Sequence, residues 1–332
     1  MHNKYLGWIS NVLIAWSYCV LASATAQEIS LTGPIAGTPF ERRMVLDSSD
    51  RKITYYISRP KSGSAPIMLV IQGSGCAPVL TIRQGGASSS IYNLEKFARE
   101  GKFTVISVEK PFSGVTAQGG VAEGCSNAFN SDFTAESWHN ALQAALNDAR
   151  KMSWVDHNRT LVMGSSEGAV MASVMAANDP KITDVISISG SGTTQLFDFI
   201  AQAYRSCFDR SACVAEIERN VAAIKSDPYS STKFAWGHPY KRWTSFFAVD
   251  PSDLLLKSKA RVYFAIGTAD DSVPAISQEL AAAKFLLADR DITVRRVPDG
   301  THSLNRRNAR NWDELDRELI AALDWFNKVP IR

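Results

Sequence analysis

"VMGSSEGAVM", Val162–Met171, inserts Gly-Ser-Ser-Glu-Gly between two apolar runs. The residues before it, Arg159 to Met163, read as a short strand, and Glu167 to Ala177 read as a helix. Gly164 and Gly168 stand two residues either side of Ser166. A strand that turns sharply into a helix forces the central serine toward unfavourable backbone angles, and the flanking glycines leave room for strand and helix to approach. The turn lifts the Ser166 hydroxyl out of the sheet edge. The helix N-terminus behind it favours developing negative charge. Ser166 is therefore the candidate nucleophile, and Ser165 fills the variable position before it. A surface turn or a helix cap would use the same residue types, so the motif has to be weighed with its partners.

A nucleophilic serine needs a base, and the base needs an orienting acid. "FAIGTADDSVP" (264–274) places Asp270 just past an apolar strand, with Asp271 as the alternative acid. "VPDGTHSL" (297–304) places His302 in a loop after the next strand. The chain order Ser166, Asp270, His302 matches a triad built on strand ends. Donors for an oxyanion are expected from the backbone N–H of Glu167 and from "QGSGC" (72–76), where Ser74 N–H is the first choice and Gly75 the alternative. The Glu167 side chain is read as solvated, with contact to a cationic substrate group as the alternative. His139, His157 and His238, placed in a helix, a polar loop and a helical insertion, form no metal-ligand spacing.

Outward from this stretch, apolar strands alternate with helices. Residues 41–47, 51–59, 66–72, 103–109, 182–190 and 260–267 read as strands, and 291–298 as an edge strand. Helices are expected over 93–101, 134–152 and the C-terminal segment carrying Leu315, Leu319, Ala322, Leu323 and Phe326. This alternation argues for an α/β fold with helices on both faces of the sheet. Between Ser191 and Ser258 helical signals dominate, and the stretch at about 193–257 reads as an inserted lid. Trp236, Tyr240 and Trp243, with His238, Pro239 and Phe246, either line a substrate pocket or form the lid's own core.

"VIQGSGCAP", "WVDHNRTLVMGSSEGAV", "FAIGTADDSVP" and "PDGTHSL" together resemble the α/β-hydrolase superfamily, in particular small secreted hydrolases of the dienelactone hydrolase and prolyl-oligopeptidase branches. The resemblance covers the layout of about residues 40–328. It implies an eight-stranded, mostly parallel sheet and no cofactor. Gln72 departs from it, because many members carry His before the oxyanion glycine; that touches subfamily more than catalysis.

Composition narrows the setting. The chain has 332 residues, 45% hydrophobic, with a net charge of +3 spread without a basic block, which argues against a nucleic-acid partner. Lys4, the apolar run Leu6–Leu21 and the Ala24-x-Ala26 tail read as a signal peptide over 1–26, leaving a single domain over 27–332 and no stable membrane span. An uncleaved anchor is the alternative. Loss of Cys19 with the signal leaves Cys76, Cys125, Cys207 and Cys213. In an oxidising compartment these favour disulfides. Cys207 and Cys213 are close in sequence, and pairing them leaves Cys76 with Cys125; free buried thiols are the alternative. The expected function is an exported serine hydrolase acting on a small-molecule ester or a peptide. Ester cleavage comes first, by analogy with what the fold most often carries. A serine peptidase, an acyltransferase and a non-catalytic binding protein are the rivals.

Overall fold

The apolar run Ala65–Ile71 forms a strand buried on both faces. Ile67, Leu69 and Ile71 point into one hydrophobic cluster, and Met68 and Val70 into another. This is the alternation a pleated strand imposes when both faces are covered. The computed structural model describes residues 32–83, 86–114, 124–307 and 312–328. The signal segment read over 1–26 lies outside the described residues.

Nine strands form the main sheet: β1 (Gly33–Pro34), β2 (Phe40–Leu46), β3 (Lys52–Ser58), β4 (Ala65–Ile71), β5 (Thr104–Val108), β6 (Val155–Ser165), β7 (Asp184–Ile188), β8 (Arg261–Gly267) and β9 (Thr293–Val297). Their spatial order is β1-β2-β3-β5-β4-β6-β7-β8-β9. The first three are antiparallel, β3 meets β5 antiparallel, and every pairing from β5 to β9 is parallel. The expected count of eight is short by one. The addition is the two-residue edge strand Gly33–Pro34, too short to leave a periodic signal. β6 also starts earlier than read, because Val155 and Asp156 pair with Ala65 and Pro66 before the register shifts. His157 thus lies in a strand rather than a loop.

Helices α1 (Leu94–Glu100), α2 (Asn127–Asp132), α3 (Ala135–Ala149) and α4 (Glu167–Asn178) precede β7. Between β7 and β8 come α5 (Gln195–Ser206), α6 (Arg210–Ser226), α7 (Tyr240–Phe247) and α8 (Pro251–Lys257). α9 (Ala275–Leu287) follows β8, and α10 (Asp313–Asn327) follows β9. Residues of α3, α4, α8 and α9 bury one face of the sheet around Trp138 and Phe285; α1 and α10 bury the other through Phe97, Leu319 and Phe326. Ile224, Ala235 and Trp243 form a third, separate cluster, with Phe199, Trp236, Tyr240 and Phe247 packed on it. Phe246 and Leu255, late in the stretch between β7 and β8, belong to the main core. Among the described residues no helix is long and apolar enough to cross a membrane.

Candidate active site

β6 and α4 meet without a loop, and Ser166 sits at the junction with φ 54° and ψ −124°. A side-chain-bearing residue adopts this region only when its surroundings impose it. Here they do. Ser166 N–H donates to Ile188 O at 2.9 Å. A Cβ on Gly164 would fall 2.1 Å from Gly168 O, and one on Gly168 would fall 2.3 Å from Ile71 O. Only glycine at both positions lets α4 begin against the ends of β4 and β6. Gly168→Ala is expected to cost about 3 kcal/mol, because the atoms in the way are backbone rather than a side chain that can swing aside. Urea unfolding measures this; a variant as stable as wild type would mean that α4 can shift outward.

The helix-cap role for Ser166 can be tested by comparison. Thr134 and Thr194, at the same position of α3 and α5, each accept a hydrogen bond from the N–H three residues on. Ser166 makes no such bond. The Ser166 hydroxyl is therefore not spent as a helix cap.

Asp270 and His302 meet at the ends of β8 and β9. Thr268 N–H donates to Val297 O at 3.0 Å and Ala269 N–H to Gly300 O at 2.9 Å, so the two loops are laced together. Asp270 is 2% exposed. Its Oδ1 accepts from Ser272 N–H at 2.8 Å and Val273 N–H at 2.9 Å. His302 Nδ1 lies 2.9 Å from Oδ2 and 3.1 Å from Oδ1. The alternative acid, Asp271, is exposed. Ser166 and His302 line one cavity of about 270 Å³, with Gln72, Gly73 and an apolar remainder that includes Ile91, Met163, Ile188 and Leu315.

The loop after β4 lies beside the serine. A Cβ on Gly73 would be 3.5 Å from Ser166 Cβ. Gln72 is buried, and its Nε2 donates to Ala77 O at 2.9 Å, closing the loop on itself. Ser74, Ser166 and Glu167 line a second, smaller cavity of about 180 Å³.

No family model and no curated protein matches the chain. Solved structures do. An acylaminoacyl peptidase of Pyrococcus horikoshii superposes with a TM-score of 0.61 at 14% identity, over 87% of this chain and 42% of that one. A candidate dienelactone hydrolase of Klebsiella pneumoniae gives 0.56 at 16% identity, over 87% and 99%. Est1E of Butyrivibrio proteoclasticus gives 0.56 at 15%, over 86% and 97%. The fold is that of the α/β-hydrolases. The chain spans about two fifths of the length of the peptidases it resembles, for instance 40% of a puromycin-hydrolysing peptidase of Mycobacterium tuberculosis, and nearly the whole of the smaller hydrolases.

Within this α/β-hydrolase fold the Glu167 side chain departs from expectation. It is not solvated but buried, 3% exposed. Its Oε2 accepts from Arg242 Nε at 3.1 Å and from Arg242 Nη2, and its Oε1 lies 3.4 Å from Lys110 Nζ. Burial alone would push this carboxyl up, but the Arg242 and Lys110 charges outweigh it and hold it at about 2. Two cations thus share one carboxylate. Arg242 takes the closer pair, and burial pushes Lys110 down to about 8. Sequence reasoning missed both cations. Lys110 had a signal: a lysine two residues past a fully buried strand. Arg242 had a weaker one, its spacing four before Phe246 on the buried face of α7.

Trp236 and Trp243 line the smaller cavity, with His238, Arg242, Phe199 and Asp198. Tyr240 does not; it packs on the Ile224–Ala235–Trp243 cluster instead. Burial pushes the Asp198 carboxyl up to about 7. Among the described residues no group of three His, Cys, Asp or Glu side chains is placed to hold a metal ion.

Disulfides join Cys76 to Cys125 and Cys207 to Cys213. The first ties the loop after β4 to a distant segment across a separation of 49 residues. Constraining so long a loop in the unfolded chain contributes about 4 kcal/mol in the chain-entropy account. Cys76→Ala/Cys125→Ala is therefore expected to melt well below wild type, while Cys207→Ala/Cys213→Ala, whose loop is only six residues apart in sequence, changes Tm less. Calorimetry of the two double variants ranks them, and the reverse order overturns the assignment.

Proposed function

We propose that this chain is an exported serine hydrolase that cleaves a carboxylic ester through an acyl-enzyme. Ser166 attacks the carbonyl carbon, and His302 takes the hydroxyl proton and returns it to the leaving oxygen. Asp270 holds the imidazole with its proton on Nδ1, and the Ser74 and Glu167 N–H groups bind the oxyanion. Water then repeats the sequence on the acyl-enzyme. The observation that carries this reading is a serine in strained backbone, not used as a cap, sharing a cavity with a histidine bonded to a buried aspartate.

The two cavities divide the substrate. The general acid must reach the leaving atom. His302 lines only the larger, apolar cavity, so the alcohol lies there, between Ile91, Leu315 and the Tyr92–Trp312 ring pair. The acyl group points into the smaller cavity walled by Trp236, Trp243 and Arg242. Residues 193–257, with their own small cluster, act as a lid over it. Residues 1–26 direct export, which the two disulfides support.

Labelling with a fluorophosphonate, followed by a panel varying alcohol and acyl group separately, tests the reading. Short acyl groups with bulky apolar alcohols are expected to turn over fastest. Faster cleavage of aminoacyl amides in the same panel would replace the ester with a peptide. Absence of labelling at Ser166 would remove the hydrolase reading altogether.

A further inference from the structure

The carbonyl side of the loop after β4 faces a buried ammonium. The Lys110 side chain has no exposed surface, and its Nζ donates to Gly73 O at 2.6 Å and to Gly75 O at 2.8 Å. Its third neighbour is Glu167 Oε1 at 3.4 Å, and the charge sits 4.1 Å from the centre of the Trp138 ring. A well-packed apolar side chain is often at least as stable as a buried charge in such a place. Packing therefore does not account for the ammonium, and what it binds does.

In a trans peptide, a carbonyl and the following N–H point in opposite directions. A Gly73 carbonyl held on Lys110 turns the Ser74 N–H away from Lys110. Lys110 lines neither of the cavities beside Ser166, whereas Ser74 lines the one shared by Ser166 and Glu167. The Gly75 carbonyl, held in the same way, directs Cys76 N–H and leaves the Gly75 N–H unspecified. Of the two donors considered for this loop, the geometry selects Ser74.

We propose that Lys110 is the positioning residue of the oxyanion site, aiming the Ser74 N–H through the Gly73 carbonyl and bracing Glu167, the source of the second donor, through its carboxylate. The inference rests on the reading of Ser74 and Glu167 as oxyanion donors. Lys110 touches no reacting atom and acts only through the loop. Its neighbour Glu109 completes the brace from the amide side, accepting Val79 N–H at 2.9 Å on each carboxylate oxygen. Two consecutive residues at the end of β5 thus hold both ends of the loop.

The test compares an ester with its thionoester, whose sulfur is a poor acceptor for donors set for oxygen. Wild type is expected to prefer the oxo ester strongly. In Lys110→Met, kcat on the oxo ester falls on the order of 100-fold with KM little changed, and the oxo/thiono ratio collapses toward one. A merely structural loss lowers both rates together and preserves the ratio, and that result overturns the proposal. If Lys110→Met does not fold, Lys110→Gln, which keeps a donor for one carbonyl, is expected to give an intermediate ratio; a folded Gln variant with the wild-type ratio overturns the proposal equally. Fluorophosphonate labelling of Ser166 separates the two layers. Labelled enzyme with an unaffected Lys110→Met rejects the role of Lys110 alone, whereas a wild type that neither labels nor turns over esters rejects the hydrolase reading and the proposal with it.

Discussion

Ser166→Ala is expected to abolish ester turnover and fluorophosphonate labelling while leaving the melting temperature close to wild type. Loss of a triad nucleophile removes on the order of 10⁶ in kcat, about 8 kcal/mol of barrier. The fold has little reason to notice. The Ser166 hydroxyl caps nothing, and the strained φ of 54° is imposed by the backbone contacts of Gly164 and Gly168 and by the bond to Ile188 O. Alanine has to accept the same angles with the same Cβ. Steady-state assay, intact-mass labelling and calorimetry on one preparation decide it. Retained labelling, or transfer of the label to Ser165 next to it, would mean that the nucleophile has been misplaced.

Asp270→Asn is expected to lower kcat about 10⁴-fold. The reason lies in which oxygen is already spoken for. Oδ1 accepts two backbone N–H groups, from Ser272 and Val273. In asparagine the amide oxygen is held at that position, and the amide NH2 is left facing His302 Nδ1. A donor there fixes the imidazole proton on Nε2, so the ring cannot take the proton of Ser166. Asp271→Asn, at an exposed side chain with no such contact to His302, is expected to retain wild-type kcat. A pH–rate profile of both variants gives the comparison, and a larger loss at Asp271 would move the acid by one residue.

Much of this site is legible along the chain because its signals are local. The continuous apolar run Ala65–Ile71, rich in Ile, Leu and Val and closed by Gly73-Ser74-Gly75, reads as a strand covered on both faces. Gly-x-Ser-x-Gly at a strand-to-helix junction restricts backbone angles within five residues. Asp270 and His302 are read from their places after two strands, because a parallel sheet brings successive strand ends to one edge. The edge strand Gly33–Pro34 escaped because two residues carry no period. Composition alone groups Tyr240 with Trp236 and Trp243, whereas the side of α7 that faces the cavity is decided by how α7 docks.

The Glu167 carboxylate marks the limit most clearly. A glutamate in the first turn of a helix reads as a solvated end, favoured there by the helix dipole. Its burial is possible only because Lys110, 57 residues earlier, and Arg242, 75 residues later, bring charge to it. By itself the sequence determined the strand–helix alternation, the serine turn and the strand ends after which Asp270 and His302 fall, since backbone geometry and hydrophobic period act between near neighbours. Only the tertiary structure decided which charges share the interior, which cavity each side chain lines and which way the carbonyls of the loop after β4 point. Desolvation and Coulomb attraction depend on distance through space, and chain order does not encode that distance.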